Sequence, residues 1–178
     1  MSEIVLQWDW NILHAIADMR CAFLDVLLPF FSKLGDAGLI WIIIGVALLF
    51  TRRYRKTGIA VLLGLLAGVL IGNAALKNLI ARPRPCWLQP EMLHLVANPA
   101  DYSFPSGHTL SSAVAAAALT RGERRFGFAA IPLAGLIAFS RRYLFVHLPS
   151  DILCGAILGA AIGYFVFEIV KRLKSKKE

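Results

Sequence analysis

Residues 57–76 read TGIAVLLGLLAGVLIGNAAL, twenty consecutive positions without a charge. Crossing the ~30 Å hydrocarbon core of a bilayer takes roughly 20 apolar residues in a helix, so this stretch is expected to span a membrane. Gly64, Gly68 and Gly72 recur every fourth residue along it. Small residues at that spacing make a flat strip on one helix face and let another helix approach closely. Segments 126–145 and 150–170 have comparable length and apolarity, and Gly155, Gly159 and Gly163 repeat the strip in the second of them. Packing within one bundle is the simpler use of both strips; pairing of two copies is the alternative.

Outward from these three, shorter apolar segments occupy 22–34, 37–51 and 106–120. Together they predict an all-α, polytopic membrane protein with a six-transmembrane-helix bundle over residues 22–170. The short members imply local thinning of the bilayer or a site recessed at one end. Composition agrees: the 178 residues are 58% hydrophobic and 17% charged, whereas soluble domains are nearer half apolar and a quarter charged. Residues 1–178 therefore read as a single membrane-embedded domain. In residues 4–19, Val5, Trp8, Ile12, Ile16 and Met19 share a helical face, so residues 1–20 are expected to form an interfacial amphipathic helix. That segment lacks the basic start, long apolar centre and small-residue site of a cleavable signal peptide. Residues 171–178 form a basic tail.

The net charge is +8. Its Lys and Arg fall in short clusters between apolar runs and not in a basic, aromatic-interleaved stripe, which argues for membrane-flanking loops and against nucleic acid. With six spans, the links 51–56 and 121–125, the tail and Arg20 share one side and hold thirteen of the nineteen Lys and Arg. That side is then cytoplasmic, both termini with it. The opposite side still carries Lys33, Lys77, Arg82, Arg84, Arg141 and Arg142. Trp41 and Trp87 read as interfacial anchors, and Asp25 and Glu168 as exposed near the cytoplasmic ends. Cys21, Cys86 and Cys154 are too few and scattered for a metal knuckle or a disulfide framework, and Cys86 and Cys154 can pair only if both face outward.

The outer cations have company. KNLIARPRP (77–85), PSGH (105–108) and SRRYLFVHLPSD (140–151) all fall at the outer ends of spans. They gather Lys77, Arg82, Arg84, Ser106, Gly107, His108, Arg141, Arg142, His147 and Asp151. Cations with two histidines and one carboxylate suit a doubly charged phosphate. PSGH opens a helix, whose free N–H groups and positive dipole end make an anion cradle. Asp151 lies four residues after His147 and can hold one imidazole nitrogen while the other acts as nucleophile. His108, from a different helix, can protonate a departing oxygen.

Lys77, six residues, Arg84-Pro85; Pro105-Ser106-Gly107-His108; Ser140-Arg141, five residues, His147, three residues, Asp151: in order and spacing this resembles the three-part signature of the type 2 phosphatidic acid phosphatase (lipid phosphate phosphatase) superfamily. The resemblance implies a bundle of membrane helices and dephosphorylation without a metal or other cofactor, through a phosphohistidine. It assigns His147 as nucleophile, Asp151 as its orienting partner and His108 as general acid. Lys77, Arg84, Ser106, Gly107 and Arg141 would hold the phosphate. Arg82 and Arg142 lie outside the fixed positions and are expected to meet a second phosphate or lipid headgroups.

The expected activity is that of a phosphoric ester or anhydride hydrolase acting on a lipid phosphate or diphosphate at the outer face of a bacterial plasma membrane. Shortness and outward catalysis are similar to family members that recycle undecaprenyl diphosphate. Phosphatidylglycerophosphate, phosphatidic acid or lipid A dephosphorylation and phosphotransfer share the motifs. A non-enzymatic lipid-phosphate binder or transporter would keep the cations without needing a nucleophilic His147. A vanadate-dependent haloperoxidase shares the anion site, but those enzymes resemble larger soluble helical proteins. Oligomeric state and acyl or prenyl chain are not encoded in these motifs.

Overall fold

A computed structural model describes residues 7–92 and 95–175, and every regular element among them is helical. The helices are α1 (Gln7–Ala17), α2 (Ala22–Leu34), α3 (Leu39–Leu49), α4 (Arg55–Gly68), α5 (Lys77–Ile80), α6 (Pro85–Leu88), α7 (Gly107–Gly122), α8 (Arg124–Tyr143) and α9 (Pro149–Ser175). A π-helical stretch, Val69–Leu76, joins α4 to α5. By length and apolarity, Arg55–Leu88 and Pro149–Leu173 each qualify as membrane-crossing, and α2 with α3 qualifies as one bent crossing.

α7 is the centre of the bundle, and glycines put it there. A Cβ on Gly64, Gly68 or Gly72 would lie 2.5–2.7 Å from the side chains of Val114 or Leu110. On the other flank, a Cβ on Gly155 would lie 3.0 Å from the Ser106 carbonyl oxygen, and one on Gly159 or Gly163 would run into the carbonyls of Leu110 and Val114. Both predicted strips thus serve packing inside one chain. α9 follows α7 in the same direction, while α4 and α8 run opposite to it: Gly122 abuts Thr57, and Gly127 abuts Thr120.

The predicted separate crossings at 22–34 and 37–51 qualify here only together, as one bent crossing. α2 and α3 are bent by 45° at their junction and so continue in one general direction, not as a hairpin. α2 descends beside α8, with Asp25 on Tyr143 and Ser32 on Arg141, and α3 carries on toward the Thr57 end, where Gly58 meets Gly45 and Leu48. The break has a local cause. Ala37 (φ 51°) and Gly38 (φ 70°) are left-handed, and a Cβ on Gly35 would come within 2.9 Å of Ile137 and His108.

Both termini are expected on one side; the described terminal helices lie at different ends of the bundle. α1 sits at the end that holds Arg141 and His147, whereas α9 finishes at the opposite end. Arg20 and Asp25 move with α1: Arg20 donates to the Tyr143 carbonyl at 3.3 Å, and Tyr143 donates to Asp25 at 2.6 Å. α1 does not use its predicted face alone. It buries Asp9, Leu13 and Ile16 and leaves Trp8, Ile12 and Met19 exposed; Val5 lies outside the described residues, as do 176–178 of the basic tail. Trp41, predicted at an interface, is fully buried and donates to Ser112 at 2.9 Å. Glu168 pairs with Arg121 at 2.8 Å at the α9 end. The three cysteines are free.

Replacing Gly163 with Val is expected to cost about 1–3 kcal/mol by overpacking against the α7 backbone. A Cβ on Gly135 would meet nothing within 4 Å, so that position is expected to tolerate Ala and gain up to about 1 kcal/mol of helix propensity. Thermal midpoints of the two variants in detergent check both signs.

Candidate active site

Three links meet at the α1 end of the bundle. After α5 the chain turns through left-handed Ala81 (φ 47°), and Arg82 and Arg84 follow with their side chains inward. The returning loop is tied to this turn by the Ser103 N–H, which donates to the Arg82 carbonyl at 2.8 Å. Between α8 and α9, residues 144–148 are all buried. Phe145 is left-handed there (φ 59°), a conformation costing a non-glycine residue about 1–2 kcal/mol. Its ring is held under Trp10 and His14 of α1, at centroid distances of 6.5 and 6.2 Å. This reversal points His147 back toward Arg84.

His147 is 1% exposed. Its Nε2 lies 3.1 Å from Nη1 of Arg84. A guanidinium can only donate, so Nε2 is the accepting nitrogen and the ring proton is on Nδ1. Nδ1 faces Asp151 Oδ2 at 3.5 Å and Ser103 Oγ at 3.4 Å. Burial, helped by the charges of Arg84 and Arg141 and opposed by Asp151, holds this imidazole far below its ordinary pKa, at about 3. It is therefore neutral at pH 7. The fully buried Asp151 accepts from Arg82 at 2.6 Å, from the Leu148 N–H at 2.8 Å and from the Ser103 hydroxyl.

Beside this pair opens a cavity of about 910 Å³. Arg84, Arg141, Gly107, His108, Asp36 and Asn73 line its polar end, while Ile42, Leu62, Leu65 and Val69 line an apolar side between α3 and α4. His108 Nε2 is 2.8 Å from Asp36 Oδ1. Arg141 donates to Ser32, and its buried Nε finds no partner among the described residues. Asp101 bridges the two cations of the first motif: it accepts from Lys77 and, at 2.7 Å, from Arg84 Nη2. Burial alone would raise the Asp101 carboxyl, but the Lys77 hydrogen bond and the Arg84 charge prevail and hold it at about 2.

Most of the predicted residues converge. Lys77, Arg84, Gly107, His108 and Arg141 surround the cavity or its Asp101 bridge, with His147 and Asp151 directly behind Arg84. Three lie apart from the cavity lining. Ser106 is fully buried and accepts from Thr109 at 3.1 Å, while its N–H donates to the Asp151 carbonyl at 3.2 Å. It positions the α7 start instead of lining the cavity. Arg82, expected at a second phosphate or lipid headgroups, lies inside: its side chain is 4% exposed and bonded to Asp9, Ser150 and Asp151. Arg142 lies away from the cavity with its guanidinium over Phe139, 5.7 Å from the ring centroid. Ser140, adjacent in the motif, donates to its own helix at Ile137.

Asp9, Asp36, Asn73, Asp101 and Ser103 were not singled out by sequence. Each comes from a link or helix whose distance to the motifs is set only in three dimensions; Ser103, two residues before Pro105, is the one that proximity to a motif would have flagged.

Cations and a histidine–carboxylate pair thus gather at one end of an apolar helical bundle. Residues 57–175 match the PAP2 superfamily. The chain is 34% identical over 152 residues to the undecaprenyl-diphosphatase of Sulfolobus acidocaldarius, covering 84% of this chain and 72% of that protein. Its fold is similar to the crystal structure of Aquifex aeolicus LpxE, with TM-score 0.83, 26% identity, and 94% and 99% of the two chains covered. It is also similar to the transmembrane PAP2-type phosphatidylglycerolphosphate phosphatase from Bacillus subtilis, with TM-score 0.73, 28% identity, and 99% and 89% covered. The chain belongs to the PAP2 superfamily, as a membrane lipid phosphatase.

Because Asp101 occupies Lys77 and Arg84, Asp101→Asn is expected to tighten binding of inorganic phosphate several-fold in calorimetric titration. Asp101 stays ionised down to about pH 2, so the difference from the parent protein should be constant between neutral and mildly acidic pH. Unchanged or weaker binding would mean that the carboxylate does not compete with the anion.

Proposed function

We propose that this chain, residues 1–178 acting as one membrane-embedded unit, hydrolyses a lipid diphosphate or phosphate, with undecaprenyl diphosphate as first candidate, through a phosphohistidine on His147. The observation that carries the reading is the Arg84 donation to His147 Nε2. It leaves the lone pair on the nitrogen nearest the cations and the proton on the nitrogen facing Asp151, as a nucleophile requires.

A phosphate entering the cavity would be held by Arg84, Arg141 and Lys77 and by the α7 start at Gly107. As the Arg84 N–H moves from Nε2 to a phosphoryl oxygen, the lone pair is uncovered. Nε2 then forms the bond to phosphorus while the bond to the leaving oxygen breaks, and His108 supplies that oxygen with its proton. The ring becomes cationic, and Asp151 stabilises it. Water, deprotonated by His108, then attacks phosphorus and returns the histidine. Charge on the equatorial oxygens is met by the same cations throughout. No step calls for a metal. The apolar cavity wall between α3 and α4 offers a path for the lipid chain.

The second reading is a phosphatidylglycerophosphate or phosphatidic acid phosphatase. In its favour is a smaller recess of about 420 Å³ beside Lys77, lined also by Asn73, Asn78 and Tyr102, which offers polar partners to a glycerol headgroup.

Charge supports a site on the extracytoplasmic side of a bacterial plasma membrane. Segments 51–56, 121–125 and 171–177 hold twelve of the nineteen Lys and Arg, and the first two lie at the end opposite the site. With α1 packed at the site end and α9 finishing at the opposite end, α1 then lies outside and α9 ends inside.

Purified protein with EDTA present is expected to release phosphate from undecaprenyl diphosphate faster than from phosphatidylglycerophosphate or phosphatidic acid, and vanadate should inhibit. His147→Ala should lower kcat by at least about a thousandfold. Full activity in that variant, or EDTA inhibition reversed by a divalent ion, would rule out the mechanism. Sidedness is tested at Cys21, which is exposed at the site end: in a Cys154→Ser background an impermeant maleimide should label intact cells, and labelling only after permeabilisation would invert the orientation.

A further inference from the structure

Asp9 lies in α1, outside all three motifs, yet it is fully buried. Its Oδ2 accepts from Arg82 Nη2 at 2.8 Å and from the Ser150 hydroxyl at 2.8 Å, and its Oδ1 accepts from the Ser150 N–H at 2.8 Å. The other arm of Arg82 donates to Asp151 Oδ1 at 2.6 Å. Arg82 therefore stands between two buried carboxylates, one of which faces His147.

We infer that Asp9 is a positioning residue for the phosphatase reaction: by balancing Arg82, it preserves the negative charge that Asp151 presents to His147. The inference rests on the phosphohistidine reading. An Asp151–Arg82 pair alone would be neutral, and a neutral pair stabilises a cationic phosphorylated imidazole poorly. With Asp9 the three groups carry one net negative charge. Arg84 presses a further positive charge against Nε2 of the same ring, which makes that surplus matter. Asp9 adds a mechanical contribution through the Ser150 N–H, a first-turn donor of α9 without an intrahelical partner. It thereby fixes the turn from which Asp151 projects.

A buried pair that loses one partner is also destabilised, so the test must separate charge from structure. Undecaprenyl diphosphate labelled with ³²P in its terminal phosphate is mixed with enzyme, quenched in base, and protein-bound phosphate counted with time. Relative to the parent protein, Asp9→Asn is expected to slow phosphoenzyme formation about tenfold, the equivalent of one pK unit on the imidazole, with KM little changed. Asp9→Asn combined with Arg82→Gln restores one net negative charge and is expected to recover most of that rate, although it loses both ion pairs. Asp9→Glu, which keeps the charge, should stay within about threefold.

A double variant as slow as or slower than Asp9→Asn, or an Asp9→Asn variant as fast as the parent, overturns the inference. If Asp9→Asn does not fold, the double variant and Asp9→Glu decide it: either one slowed tenfold or more overturns it. Absence of phosphoenzyme in the parent protein would instead defeat the phosphohistidine reading, whatever the Asp9 variants do.

Discussion

A carboxylate buried at the end of an apolar bundle sets the terms for everything around it. Asp151 has no exposure, and an ionised carboxylate removed from water is tolerated only when charge and hydrogen bonds replace its hydration. Here the replacements are Arg82, Ser103, the Leu148 N–H and the facing His147. Supplying them forces three links, far apart in sequence, to close over the same point. Two of the arginines brought in take a counter-charge from another element: Asp9 of α1 for Arg82, and Asp101 of the loop before α7 for Arg84. Arg82 is thus threaded between two carboxylates and Arg84 between a carboxylate and the histidine.

The hydrocarbon-facing part of the molecule has the opposite problem. Apolar helices gain little from one another in lipid beyond packing, so α7 is gripped by backbone-close contacts to the glycine strips of α4 and α9. That grip fixes where Gly107 and His108 emerge. The break between α2 and α3 does the same from another direction. Its left-handed pair Ala37–Gly38 brings Asp36 to His108 and leaves an apolar gap between α3 and α4. One cavity therefore has a charged floor and an oily wall, the shape needed by a substrate with a phosphate head and a membrane-dissolved tail.

α1 links these two parts. Its outward residues Trp8, Ile12 and Met19 remain exposed, while Asp9, Leu13 and Ile16 are enclosed. Leu13 packs with Phe145 and Leu148, on either side of His147. A helix that looks peripheral thus covers the link bearing the histidine and pins the first turn of α9.

Much of this was legible in the order of residues, because some constraints are local. Twenty apolar residues define a membrane helix wherever they occur, a Pro-Ser-Gly-His run opens a helix, and the His147–Asp151 spacing sets those two side chains together across a single turn. The motif cations and the use of the glycine strips followed in the same way. The relation of α2 to α3 did not, since a 45° bend and a hairpin share one hydropathy profile and differ only in what α2 packs against. Nor did the fate of Arg82 and Arg142: adjacent to motif arginines and chemically identical to them, one is enclosed by Asp9 and Asp151 and the other lies over Phe139. The sequence by itself determined that this is an apolar helical protein carrying the residues of a phosphatase. Tertiary structure alone decided which carboxylate stands against which cation, because electrostatic partners are chosen by distance through space and a linear order carries no record of it.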